Sequence, residues 1–179
     1  MSLTHDRPAL LVIDVQEGSF TIPGGEIDGT TEFLSRVAEL ISGAHRNGVP
    51  VIFSQFCGPA ETPMASGRPG NDIHSAVSPG ADDIVVQKDD SDAFLRSGLQ
   101  AALDRLAVKT LIVCGMQSEF CVDATCRSAY GLGYNVVLVA DAHATSDSES
   151  LRAKQIVEHH NVTLARAYVT LRHSSEVFG

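Results

Sequence analysis

The feature that most narrows the fold of this chain is a series of short apolar runs that are continuous rather than alternating. Ala9-Leu10-Leu11-Val12-Ile13-Asp14-Val15 is the first, and it closes near an acid. A strand buried on both faces has this pattern, whereas a strand with one wet face alternates. Further runs follow at Val49 to Ser54, Ile84 to Lys88, Val108 to Cys114 and Asn135 to Ala140, with a short sixth at Val162 to Ala165. Between them, apolar residues recur at helical spacing. Phe33, Leu34, Val37, Ala38, Ile41 and Ala44 mark a helix over 31–47, stopped by Gly48. Leu99, Ala102, Leu103 and Leu106 mark another over 98–107, and residues 119–132 a third. Ser146-Asp147-Ser148-Glu149 has the form of a capping box, opening a helix that runs to about His160. A last short helix is expected around Tyr168. Strands and helices alternating in this way specify an α/β fold: a three-layer α/β/α arrangement around a mostly parallel six-stranded sheet, Rossmann-like in character. No linker or repeat divides residues 1–179, so one domain is expected.

Such sheets bind ligands at the carboxyl ends of their strands. Asp14, Lys88 and the turn before Cys121 all fall at such ends. In the last of these, Leu111-Ile112-Val113-Cys114 breaks at Gly115, and Ser118 is a possible helix cap that places Cys121 in the first turn. Backbone N–H groups and the helix dipole favour a thiolate there. Taken alone, the stretch also fits an ordinary strand-to-helix junction with a packed cysteine. Asp14 alone fits a turn cap, and Lys88 alone fits a solvated pair with Asp89 and Asp90. Together the three supply a nucleophile, a base and a cation that holds the base ionised. N–H groups of the 115–121 turn would complete an oxyanion hole. These parts suit acyl transfer through a thioester without a histidine.

The other loops frame a pocket. Cys57 to Gly80 holds Pro59, Pro63, Pro69 and Pro79, and a loop of that length inside a compact domain is usually functional. Residues 17–29, 55–80 and 142–147 are where specificity would sit. Phe20, Phe56 and Met116 either line the pocket or belong to the core. His74 either faces the pocket or packs its loop, and His143 either supports the site or holds its own loop. His159 and His160 are read as the polar end of a helix.

The formal net charge of −9 argues against non-specific nucleic-acid binding. No apolar run is long enough to span a bilayer, and Met1 to Arg7 carries no signal-peptide core, so a soluble, cytoplasmic protein is expected. The four cysteines, Cys57, Cys114, Cys121 and Cys126, are then expected to be reduced. They form no CxxC pair, and on a helix Cys121 and Cys126 point roughly 140° apart.

Four ordered segments carry a resemblance. They are Leu11-Val12-Ile13-Asp14-Val15-Gln16; Lys88 with Ser91-Asp92-Ala93-Phe94; Gly115-Met116-Gln117-Ser118-Glu119-Phe120-Cys121-Val122 continuing to Cys126-Arg127-Ser128-Ala129; and Gly133-Tyr134 with Val139-Ala140-Asp141-Ala142. In these the chain resembles the isochorismatase-like cysteine hydrolases, the superfamily of nicotinamidases, N-carbamoylsarcosine amidase and related small amidases. The resemblance implies that fold, a catalytic triad of Asp14, Lys88 and Cys121, and a cis peptide at Met116–Gln117. It also implies an oxyanion hole from the N–H groups of Gln117 and Cys121, and a homodimer or homotetramer. The family usually has threonine where this chain has Ser118. Nicotinamidases carry a metal-binding Asp-x-His pair where this chain has Ser54-Gln55-Phe56-Cys57, so no metal and no cofactor is expected. The implied function is hydrolysis of a C–N bond in a small amide, imide or carbamoyl compound. The alternatives are a vinyl-ether hydrolase of the isochorismatase type and, behind it, a thiol redox protein using Cys121.

Overall fold

Strands β1 (Pro8–Ile13), β2 (Val51–Phe56), β3 (Ile84–Lys88), β4 (Thr110–Met116), β5 (Asn135–Ala144) and β6 (Thr170–Arg172) join one sheet in the order β3-β2-β1-β4-β5-β6. Every neighbouring pair is parallel. The structure, a computed structural model, describes residues 7–21, 27 and 29–178. The polar N-terminal stretch up to residue 6, and residues 22–26 and 28 of the loop expected after the first strand, lie outside the described residues.

The continuous apolar runs have a direct consequence in the packing. Successive side chains of a strand point to opposite faces. Leu10, Val12, Val51, Phe53, Ile112, Cys114, Val137 and Val139 therefore face one core, covered by α1 (Thr30–Arg46) through Phe33, Leu34, Val37, Leu40 and Ile41. Ala9, Leu11, Ile13, Ile52, Leu111, Val113, Val136 and Leu138 face the other. That second core is covered by α2 (Leu99–Arg105), α3 (Asp123–Gly131) and, through Leu164, α4 (Ala153–Ala165). β1 is buried along its whole length because it lies at the centre, where the chain order reverses between β1 and β4.

Several expectations at the C-terminal end are corrected. Residues 162–165 are not a strand but the last turn of α4. Ile156 and Leu164, two helical turns apart, are buried residues of that helix, while Val162 is exposed. A short β-branched run cannot by itself distinguish the two states. The sixth strand is Thr170–Arg172, an edge strand on which only Leu171 is even half-buried, so it leaves no apolar signal, and no helix forms around Tyr168. The Ser146–Glu149 box does not open a helix either. The Ser148 hydroxyl accepts from the N–H groups of Ser150 and Leu151 in a local turn. α4 starts later, with Asp147 Oδ1 accepting from Ala153 N–H at 2.8 Å. His159 and His160 consequently sit inside this helix rather than at its end.

Gly115 fixes how closely β4 approaches β1. Its φ is +123°, and a Cβ there would lie 2.1 Å from Ile13 O and 2.5 Å from Ile13 N. Gly115→Ala is expected to destabilise the fold by about 3 kcal/mol or more, from backbone strain and overpacking together. Urea unfolding monitored by circular dichroism would measure this, and an unchanged midpoint would show that β4 has room to shift.

Candidate active site

Asp14, Lys88 and Cys121 meet at the carboxyl edge of the sheet. Asp14 follows directly on β1 with φ +49°, a left-handed conformation that aspartate tolerates better than most residues. Its Oδ1 accepts from Ser54 Oγ of β2 at 2.8 Å. Lys88, the last residue of β3, reaches over β2, and its Nζ lies 2.6 Å from Asp14 Oδ2 with the ammonium side chain fully buried. The same Nζ donates to Asp90 O at 2.8 Å and contacts Cys121 Sγ at 3.3 Å. Lys88 is thus not a solvated partner of Asp89 and Asp90; those two carboxylates take Arg96. The chain beyond Lys88 is pinned to α3, since Ala93 N–H donates to Thr125 Oγ1 and Ser128 Oγ donates to Asp92.

The electrostatics correct one expectation. Burial pushes the Asp14 carboxyl above its usual range, against the pull of Lys88 and of its hydrogen bonds. The Cys121 thiol is pushed up to about 12, first by burial and then by the neighbouring Asp14 carboxylate, and the Lys88 ammonium does not offset them. The resting sulfur is therefore a thiol, not the thiolate that a cysteine near a helix start suggests. Asp14 Oδ2 lies 2.6 Å from Nζ, and the same carboxylate neighbours the Cys121 thiol, which places it to accept the thiol proton.

The turn carrying Cys121 is built from a cis peptide at Met116–Gln117 and a wide helical turn over Ser118–Val122, in which Val122 N–H reaches back to Gln117 O at 3.1 Å. Wide turns of this type concentrate at functional sites. Ser118 does not cap the helix. Its hydroxyl is buried against His143 Nδ1 at 2.9 Å, and His143 Nε2 faces Asn161 Oδ1 at 3.0 Å. Asn161 Nδ2 donates to Ala140 O, so Asn161 Oδ1 is an acceptor, Nε2 carries the ring proton, and Nδ1 accepts from Ser118. The next residue, Glu119, accepts from Thr145 Oγ1 at 2.9 Å. Ser118 and Glu119 thus fasten the turn to the end of β5.

A cavity of about 220 Å³ opens on Cys121, lined by Asp14, Ser19, Phe56, Met64, Ser91, Met116, Gln117, Phe120 and Cys121. Of the residues expected to frame a pocket, Phe56 and Met116 lie in this wall. Phe20 and His74 do not: their rings pack edge to face 4.8 Å apart, and His74 Nδ1 accepts from Ala76 N–H in its own loop. Ser19 and Met64 join the wall without any local sequence signal to mark them, and Ser91 joins it with only its place beside Lys88 in a resembling segment. Phe120 has one, as a large apolar residue beside the cysteine, and its side chain is 55% exposed. Asn71 is unmarked in the sequence, and Gln16 is marked only as the end of the first resembling segment. The Gln16 amide bonds Phe56 O, Phe56 N and Asn71 O, and the Asn71 amide donates to Phe56 O and Met64 O. They tie the 57–80 loop to the end of β2 and so place Met64 in the wall. A larger hollow of about 540 Å³ lies at the opposite edge of the sheet, near Thr110 and Asn135 at the starts of β4 and β5, away from these groups. Among the described residues, no three His, Cys, Asp or Glu side chains gather to hold a metal, and no helix is long and apolar enough to cross a membrane.

The isochorismatase domain model matches residues 8–167. The chain belongs to the isochorismatase family. A streptothricin hydrolase from Streptomyces noursei is 41% identical over 139 residues, covering 78% of this chain but 50% of that protein, so the chain spans about half its length. A ureidoacrylate amidohydrolase from Azorhizobium caulinodans is 24% identical over 177 residues, covering 79% of this chain and 78% of the relative. The crystal structure of an isochorismatase from Pseudomonas putida KT2440 superposes with a TM-score of 0.92 at 26% identity, covering 99% of this chain and 92% of that one. The six-stranded α/β fold is thus that of isochorismatase-like proteins.

His143→Ala would leave the buried Ser118 hydroxyl without its acceptor. The expected cost is about 1–3 kcal/mol of stability, read as a lower urea midpoint. A midpoint equal to that of the parent protein would show that the turn does not depend on this bond.

Proposed function

We propose that this protein is a cysteine-dependent hydrolase that cleaves the C–N bond of a small amide, imide or carbamoyl compound through a thioester on Cys121. The observation that carries the reading is the single ammonium of Lys88 set 2.6 Å from Asp14 and 3.3 Å from Cys121, two residues that line a cavity. Its family membership, and relatives named as hydrolases of amide compounds, support it.

The chemistry follows from the resting protonation. Asp14 takes the proton of the Cys121 thiol as sulfur attacks the carbonyl carbon, so the thiolate forms only when it is used. Lys88 stabilises the negative charge wherever it lies, on Asp14 or on sulfur. The N–H groups of Gln117 and Cys121 receive the oxyanion. As the C–N bond breaks, the Asp14 carboxyl returns its proton to the leaving nitrogen. Water then attacks the thioester, Asp14 accepts its proton, and the acid leaves as the Cys121 thiol is restored. A cysteine held against a base and an ammonium is what this route requires, and it favours amide over vinyl-ether chemistry.

A panel of small amides, imides and carbamoyl compounds, with isochorismate beside it, would test the reading. Cys121→Ala is expected to lower turnover about 1,000-fold or more, and Asp14→Asn about 100-fold or more. Intact mass should show an acyl adduct on the parent protein under rapid quench. The sign of the pH dependence is set by Asp14: kcat/KM is lost as pH falls through its raised pKa, because the base becomes protonated. No gain is expected near pH 9, because Cys121 stays a thiol until about 12. Full turnover of every accepted substrate by Cys121→Ala would end this reading.

A further inference from the structure

We infer that the substrate carries no carboxylate or phosphate: the site takes an uncharged or cationic small amide with a flat apolar body. The inference rests on the hydrolase reading above and concerns the charge of what enters the same cavity.

The walls are Phe56, Met64, Met116 and Phe120, and the polar atoms offered beside Asp14 and Cys121 are neutral, from Ser19, Ser91 and Gln117. Hydroxyls and an amide can bond a substrate's carbonyl or N–H but cannot neutralise an anion. Among the described residues, the cation behind Asp14 and Cys121 does not line the cavity and is fully used. Lys88 Nζ is shared among Asp14 Oδ2, Asp90 O and Cys121 Sγ, and it sits 5.1 Å from the centre of the Phe56 ring. Arg96 is engaged by Asp89 and Asp90 at 3.3 Å each. Arg68 is exposed on the loop that supplies Met64 but does not line the cavity. The residues outside those described add no Lys or Arg to the chain; between 22 and 28 they add Glu26 and Asp28.

A carboxylate entering this space would lose its hydration against aromatic and thioether surface, beside the Asp14 carboxylate, with no counter-charge to replace it. A neutral amide loses only the hydration of polar atoms that Ser19, Ser91 and Gln117 can partner. A cationic group gains from the exposed Phe120 face at the mouth and from the chain's net charge of −9. The volume of about 220 Å³ suits a single ring with its amide.

Iodoacetamide and iodoacetate are near-isosteric probes that differ in this charge, and both report on Cys121 without knowledge of the substrate. Alkylation rates at Cys121 are followed by peptide mass mapping, and their ratio is divided by the ratio for free glutathione. Both reagents need the same deprotonated sulfur, so its pKa cancels. The expected corrected preference for iodoacetamide is about 30-fold or more, as a desolvated, unpaired charge requires. Phe120→Arg, at an exposed position, should reduce that preference to about threefold or less by supplying a counter-charge. Ser19→Arg is the second variant if the first does not fold. Equal corrected rates on the parent protein, or a preference that both arginine variants leave intact, overturn the inference while the nucleophile reading stands. A Cys121 that neither reagent labels, together with unchanged turnover in Cys121→Ala, overturns the nucleophile reading and this inference with it.

Discussion

A buried ammonium has to find its counter-charge inside the protein, and Lys88 finds it two strands away. Removing two charges from water costs several kcal/mol each, and only close geometry with further hydrogen bonds offsets that cost. Here the Asp14–Lys88 pair is completed by Ser54 on one side and Asp90 O on the other. The pair therefore sets the relative height of three strand ends, those of β1, β2 and β3. It also sets the Asp14 carboxylate beside the sulfur, where it adds to the burial that keeps Cys121 a thiol.

The second half of the site depends on backbone contact rather than charge. β4 runs against β1 at Gly115 and Ile13 with no space for a side chain. That approach delivers the turn holding Cys121 directly above the residue after Ile13, which is Asp14. The turn is then held from behind by the end of β5, through Ser118 to His143 and Glu119 to Thr145. A cavity thus sits between a rigid floor and a fastened lip. Its outer wall comes from the β2–β3 crossover, which consists of loop and single helical turns where a parallel sheet ordinarily has a helix. Gln16 and Asn71 hold that loop by its backbone, so its irregularity does not leave Met64 and Phe56 loosely placed.

Much of this architecture is legible in the residue pattern. Continuous apolar runs predict strands buried on both faces, as β1 and β4 are, whereas edge strand β3 exposes Val85 and Gln87 on one face; its bounds, Ile84–Lys88, are as expected because Asp residues flank it on both sides. The helix expected over 31–47 is α1 at Thr30–Arg46, since its apolar spacing is regular and Gly48 ends it. The meeting of Asp14, Lys88 and Cys121 at one edge follows from strand polarity: in a parallel sheet, residues that end strands share an edge. The C-terminal elements depart from expectation because pattern and burial part company there. Val162 looks like strand but is an exposed position on a helix, and Thr170–Arg172 is strand with almost nothing buried.

Residue pattern alone fixes the first five strands and which three chemistry-bearing residues lie at the same edge, because side-chain period and chain direction are local properties. Packing is what raises the Cys121 thiol, since desolvation and the distance to a carboxylate exist only after strands far apart in the chain come together. It alone separated Phe56 and Met116, which face the cavity, from Phe20 and His74, which face each other. It also recruited Ser118, His143 and Asn161 into one hydrogen-bonded line. Those choices depend on where buried polar groups find partners, and partners that lie 18 and 25 residues apart cannot be read from local pattern.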